Sequence, residues 1–240
     1  MKKLILITLI ITGLLTSFNT NAQFLKDAKK FVEKKTGVTG LSEKDAADGI
    51  REALVKGTGE SVKLVTNVDG YLGNPEIKIP FPPDAKQMET KLRALGMGTK
   101  VDRFNESMNR GAEKAAKEAT PIFVNAIKNM TVNDAFKIIK GENNAATSYL
   151  KNNTSRELNI KFQPIIKSSL DEVNASKYWE ELVTAYNAIP FVKKMNPNLT
   201  EYVTGKAIDG LFVMVAKEEL KIRKDPVART TELLKKVFGN

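Results

Sequence analysis

The sequence predicts an all-α fold, an irregular multi-helix bundle carrying one small β-hairpin. Three observations predict it. Apolar residues recur at helical spacing over most of the 240 residues. Turn-forming residues gather in a single stretch, Asn67 to Pro83. The chain contains no Cys, so no disulfide framework stands in for a packed core. With 42% hydrophobic and 28% charged residues, one domain of this length buries enough apolar surface to fold.

Taken in order, Met1 to Ala22 is expected to be a signal peptide. Met1-Lys2-Lys3 is its basic start, Leu4 to Leu15 its apolar run, and Thr20-Asn21-Ala22 places cleavage near Ala22. That run is shorter than the ~20 apolar residues a helix needs to span a bilayer. Residues 23–240 are then expected to form a single helical domain, periplasmic or secreted, with no transmembrane segment after signal cleavage. Phe24, Leu25, Ala28, Phe31 and Val32 mark a first helix, ended by Gly37. Ser42 with Asp45 reads as a capping box opening a second, whose stripe is Ala46, Gly49, Ile50, Ala53 and Leu54.

Asp69-Gly70, Gly73-Asn74-Pro75 and Pro80, Pro82 and Pro83 then interrupt the periodicity. The alternation at Ile77-Lys78-Ile79 suggests a hairpin pairing Tyr71-Leu72 with Ile77 to Ile79. Helices are expected again from Asp84 to Leu95, from Asp102 to Ala119 and from Thr120-Pro121. Thr131 with Asp134 opens the next, which Gly141 closes; Ala145 to Lys151, Ser155 to Leu170 and Asn174 to Ala188 follow. After a Pro190 to Pro197 linker, Thr200 to Lys224 is a long helix. Ile208, Leu211, Phe212, Met214 and Val215 cover most of its circumference, which predicts a central helix with Lys206, Asp209, Gly210 and Lys217 on its one remaining face. Asp225-Pro226 starts a last helix with Leu233, Leu234, Val237 and Phe238 inward.

The chain has no His as well as no Cys. Serine and cysteine hydrolase triads and a histidine general base are therefore excluded within it, as are zinc sites built on those side chains. No cofactor and no metal site is expected; a cation would need oxygen ligands, and no calcium-loop pattern is present. The formal charge is +10, and loss of Lys2 and Lys3 with the signal leaves 36 basic against 28 acidic groups. Such an excess suits an anionic envelope surface or polymer better than nucleic acid, which an exported protein seldom meets.

The most suggestive polar cluster lies on the Asp102 to Ala119 helix. Asn105, Asn109 and Glu113 are spaced i, i+4, i+8 and share a face, with Arg110 beside them and small residues close by. Two readings fit: a polar pocket that binds a ligand, or an interhelical hydrogen-bond network. If a ligand binds there, Asn109→Ala with Arg110→Ala should abolish binding and leave the melt intact. Asp69 heads the turn-rich stretch, and Arg223, four residues after Glu219, is either a clamp or an anion ligand. These six residues, Asn105, Asn109, Arg110, Glu113, Asp69 and Arg223, are the candidate ligand-binding set. The functional expectation is a non-enzymatic ligand- or partner-binding protein of the cell envelope. The alternative is a carboxylate-dependent hydrolase of envelope glycans using two of Glu60, Asp69, Glu76, Glu113 and Asp209. Among the aromatics, Tyr71, Phe81 and Trp179 are those expected to reach the surface; Tyr178 and Trp179 cannot both face the same way.

Several separated segments also carry a resemblance. They are Asp69-Gly70-Tyr71-Leu72, Ile77-Lys78-Ile79-Pro80, Met108 to Glu113, Asp134-Ala135, Thr147 to Leu150, Asp209 to Phe212 and Glu219 to Pro226. In that order, from about Ser42 to Phe238, they resemble the bacterial exported family called domain of unknown function 4197. One departure is Gly111, where the family motif has Ala. The resemblance implies an all-helical envelope protein without an assigned activity, and supplies no catalytic residues.

Overall fold

A computed structural model describes residues 42–225 apart from 189 and 192, together with Lys26 and Lys30. The signal peptide, the first helix and the last helix expected from the sequence lie outside the described residues. Within them the chain is entirely helical: α1 (Glu43–Thr66), α2 (Lys86–Ala94), α3 (Gly98–Ala115), α4 (Ala119–Lys128), α5 (Val132–Lys140), α6 (Ala145–Asp171), α7 (Ala175–Asn187) and α8 (Leu199–Lys224). Short 3-10 turns at Pro83–Ala85 and Ala116–Glu118 lead into α2 and α4.

Both capping boxes read from the sequence are present. The Ser42 hydroxyl accepts from the Asp45 N–H at 3.0 Å while Asp45 accepts from the Ser42 N–H at 3.1 Å. Thr131 and Asp134 reciprocate at 3.1 and 3.2 Å and open α5. Each satisfies two donors that a helix start leaves without partners. Neither Gly57 nor Gly59 breaks α1, which runs unbroken for 24 residues. The two segments expected at Ala145 to Lys151 and Ser155 to Leu170 are likewise one 27-residue helix, α6, with Pro164 inside it. Proline removes a donor to the carbonyl four residues back. Here both Pro164 and Ile160 are on the exposed face, where water reaches the released carbonyl.

α8 is the organising helix, packed against α1, α3, α6 and α7. It is not enclosed on every side as its composition suggests: Gly205, Lys206, Asp209, Val213, Lys217 and Leu220 form an exposed stripe. Gly210 is not on that stripe. It is buried, and a Cβ there would meet Tyr71 Cε1 at 2.8 Å and the Ile77 Cβ at 3.1 Å. Glycine at 210 is what lets the Asn67 to Pro83 segment lie against the helix.

That segment contains no strand, which corrects the hairpin expected at Tyr71 to Ile79. It is a chain of turns. Asp69 takes a left-handed backbone (φ 66°), the Gly70 N–H donates to Asn67 O at 2.9 Å, and the Ile77 and Lys78 N–H groups both donate to Asn74 O. The alternation of Ile77 and Ile79 is real, and both are buried with Tyr71. The main-chain groups that a second strand would have paired are taken instead by side chains of α3. Tyr71, Phe81 and Trp179 are also buried rather than surface aromatics. Phe81 and Phe104 rings lie 5.0 Å apart, and Trp179 completes the cluster; its neighbour Tyr178 points outward.

Two glycines of one helix therefore predict opposite outcomes. Alanine improves helix propensity by about 1 kcal/mol over glycine, but overpacking costs about 1–3 kcal/mol. A methyl group added at Gly205 would meet nothing within 4 Å, so Gly205→Ala should raise the urea midpoint, whereas Gly210→Ala should lower it. Equal shifts in the two variants would contradict the packing of Tyr71 on α8.

Candidate functional site

Two places concentrate polar chemistry or unfilled space. The first is the seam between α3 and the Asn67 to Pro83 segment. Asn109, fully buried, acts as a substitute strand: its Oδ1 accepts from the Ile79 N–H at 2.8 Å and its Nδ2 donates to Ile79 O at 3.0 Å and Asn105 O at 2.8 Å. One turn on, Glu113 Oε1 accepts from the Tyr71 and Leu72 N–H groups at 3.1 and 3.3 Å. Its Oε2 receives Arg110 Nη1 at 2.8 Å, and Arg110 Nη2 reaches Asp69 Oδ1 at 2.9 Å. The i, i+4 spacing puts Asn109 and Glu113 on one face, matching two separated points of the segment.

The tyrosine in this segment makes the deepest contact. The Tyr71 hydroxyl donates to Ala207 O, inside α8, at 2.6 Å. Burial pushes its phenol well above the usual tyrosine range, and the nearby Glu113 carboxylate adds to that. The Arg110 guanidinium is held above its own ordinary value, first by its hydrogen bond to Glu113 and also by Asp69, with burial opposing. The seam thus has an anchor at each end, and the Tyr202 hydroxyl adds a bond to Pro80 O at 3.2 Å.

Five of the six candidate residues, Asn105, Asn109, Arg110, Glu113 and Asp69, come together here. What Asn109, Glu113 and Arg110 hold in this structure is the chain's own segment. Asn105 contributes its carbonyl to Asn109, while its side-chain Oδ1 is buried without a hydrogen-bond partner. Arg223 is elsewhere, at the junction of α5, α6 and α8.

That junction is held by Glu219. Its Oε1 accepts from the Ala146 N–H at 3.0 Å, and its Oε2 accepts from both the N–H and the hydroxyl of Thr147 at 2.8 Å. A side chain of α8 therefore caps the start of α6, whose own Asn144 makes no side-chain cap. Arg223 donates from Nε and Nη2 to Glu219 Oε1 at 2.9 and 2.8 Å, and from Nη2 to Ile138 O, in the last turn of α5, at 2.8 Å. The sequence reading of Glu219 and Arg223 as a pair holds, and the helices it ties together within the described residues are α5 and α6.

Beside this junction is the second place, an apolar crevice missed by the sequence reading. It is small, with a cavity volume of about 30 Å³, and opens to solvent between Ile50, Leu54 and Gly57 of α1, Ile138 of α5 and Val215 and Ile222 of α8, with Thr58, Glu219 and Arg223 at its polar margin. Ala53 of α1 lines the space, while at Gly57 the Ile222 side chain comes in close, so that a Cβ there would meet its Cδ1 at 3.2 Å; the spacing of these small residues was visible, but not which helix would face them. Among the described residues, no group of three or more acidic side chains is arranged to hold a metal ion. Nor is any helix there long and apolar enough to cross a membrane.

An all-helical domain whose irregular segment is bound by its own helix side chains is thus the class this chain represents. The family model for a protein of unknown function, DUF4197, matches residues 40–239, and the chain belongs to that family. No curated protein and no solved structure matches it.

The seam geometry revises the expectation for Asn109. Its replacement by Ala strands two buried main-chain groups at about 1–3 kcal/mol each, so Asn109→Ala should lower stability by roughly 3 kcal/mol in urea unfolding. Asn109→Asp keeps the acceptor but sets a carboxylate oxygen against Ile79 O, and should rescue little. A near-unchanged midpoint for both would show that these bonds are not holding the segment. At the other junction, Glu219→Gln should speed amide exchange at Ala146 and Thr147 far more than at Thr154 in mid-α6. Uniform acceleration along α6 would instead mean that Glu219 does not act as its cap.

Proposed function

We propose that this is a non-enzymatic binding protein of the cell envelope, exported by its N-terminal signal and cleaved near Ala22, that takes an apolar group of a ligand or partner into the crevice between α1, α5 and α8. The observation that carries this reading is a solvent-open space walled by Ile50, Leu54, Ile138, Val215 and Ile222 in a chain without His or Cys. Apolar surface of this kind gains by exchanging water for an apolar partner.

The hydrolase alternative is disfavoured by how its carboxylates are used. Glu113 and Asp69 share Arg110, Glu76 pairs with Lys217, and Asp209 pairs with Lys151 at 3.5 Å, which leaves of the five only Glu60, exposed on α1. A glycosidase needs two carboxyl groups free to face a sugar. An anionic envelope surface fits the net charge of the chain and would act alongside the crevice.

Methyl-labelled protein titrated with 1-decanol tests the crevice. Saturable shifts should appear at Ile50, Leu54, Ile138, Val215 and Ile222, and Ala53→Leu should abolish them by filling the space. Shifts absent from those methyls, or surviving in Ala53→Leu, would overturn the assignment.

A further inference from the structure

Asn187, the last residue of α7, closes a loop at its base. Its Oδ1 accepts from the Met195 N–H and its Nδ2 donates to Met195 O, both at 2.8 Å, so one amide takes both main-chain groups of one residue. Met195 is buried, and the next carbonyl, Asn196 O, accepts from Trp179 Nε1 at 3.2 Å. The base is thereby fixed to α7 and to the cluster of Phe81, Phe104 and Trp179. The chain between Asn187 and Met195 leaves the body and returns, a compact loop whose ends lie close together.

The described residues of that loop all face water. Ala188, Pro190, Phe191, Lys193 and Lys194 are exposed. Phe191 is 106% exposed, as open as a side chain becomes, and takes a left-handed backbone (φ 64°) that bulky residues seldom adopt. One exposed apolar side chain is ordinary. A ring beside a proline, at the tip of a loop pinned at its base and next to paired lysines, is a surface built for contact.

The charge near the tip is basic. From Leu182 to Thr200 the sequence has no acidic residue, while Lys193 and Lys194 are adjacent. Lys193 pairs with Asp84 at 3.1 Å, but both side chains are mostly in water, where such a pair contributes little. Lys194 Nζ donates to Asn187 O. Size decides which partner fits. A stable protein interface buries about 800 Å² on each side, whereas one aromatic ring offers about 150–250 Å². The headgroup boundary of a bilayer accepts an apolar group of that size with flanking lysines.

We propose that this tip is a membrane-contact site: Phe191 with Pro190 enters the headgroup boundary of an anionic lipid bilayer, and Lys193 and Lys194 meet lipid phosphates. This rests on the envelope-surface part of the reading above and names that surface. It does not involve the crevice, so a failed 1-decanol titration leaves it untouched.

The absence of native Cys permits a local probe in the full-length chain. Ile7→Glu with Ile10→Glu is placed in every protein, so that the N-terminal apolar run does not itself bind lipid. Pro190→Cys carries an environment-sensitive dye. Val68→Cys, at an 81% exposed position of the other irregular segment, carries the same dye as the reference. Vesicles of phosphatidylcholine with phosphatidylglycerol should shift the dye at 190 to the blue and open it to quenching by brominated acyl chains. The dye at 68 should show neither. Phe191→Ala should raise the lipid concentration needed about tenfold or more, through lost apolar burial. Lys193→Gln with Lys194→Gln should raise it about tenfold, through lost attraction to anionic lipid. No response at 190, an equal response at 68, or unchanged titrations in both variants overturns the proposal. A response to soluble polyphosphate with none to vesicles also overturns it, in favour of an acidic polymer.

Discussion

Asn109 and Glu113 meet a requirement that helical packing alone cannot. The Asn67 to Pro83 segment lies along the surface with Tyr71, Ile77, Ile79 and Phe81 turned into the core, and the backbone buried beneath those side chains must find partners for its N–H and C=O groups. A sheet would provide them from a neighbouring strand. Here one amide side chain takes both main-chain groups of Ile79, and one carboxylate takes two successive N–H groups at Tyr71 and Leu72. With these satisfied, Tyr71 is free to reach Ala207 O and Ile77 to cover Gly210, and α8 acquires its packing on that side. The position of the segment, and the face α8 turns toward it, follow from two residues of α3.

The same device appears at the far end of the molecule with the roles changed. Glu219 serves the start of α6 and Arg223 the end of α5, so one turn of α8 fastens both sides of a tight connection. In both places a charged or amide group is buried because backbone donors or acceptors need it there, which explains why polar residues interrupt otherwise apolar helix faces. Loss of one partner leaves the other uncompensated in a site with little water, and such losses cost more than a surface ion pair contributes.

What was legible in the sequence was local. The capping boxes at Ser42 and Thr131 follow from residues three apart, and helical spacing located α5, α7 and α8 closely; it set α3 four residues too late, because Gly98 opens that helix and Ala115 ends it. The co-facing of Asn109 and Glu113 was equally plain, since it depends only on the turn of a helix. Their partners were not, because residues 69 to 79 and residues 109 to 113 meet only through the tertiary fold. Ile77-Lys78-Ile79 reads as a strand since alternation reports burial of one side and says nothing about what pairs with the backbone. Tyr71 and Phe81 read as open to solvent for the same reason: the glycine that receives Tyr71 is 139 positions further along the chain. The crevice was illegible because it lies where small residues of α1 face the end of α8.

Because Asn109, Arg110 and Glu113 fall within little more than one turn, the seam also fixes the azimuth of α3. Adjacent residues of an α-helix differ by about 100° around the axis. A slip of one position would carry the amide, guanidinium and carboxylate away from Ile79, Asp69 and Tyr71 together, with no intermediate rotation that keeps some bonds whole. The irregular segment thus works as an index pin for a regular element, and an α3 shifted in register would be rejected by the interior before any outside molecule tested it.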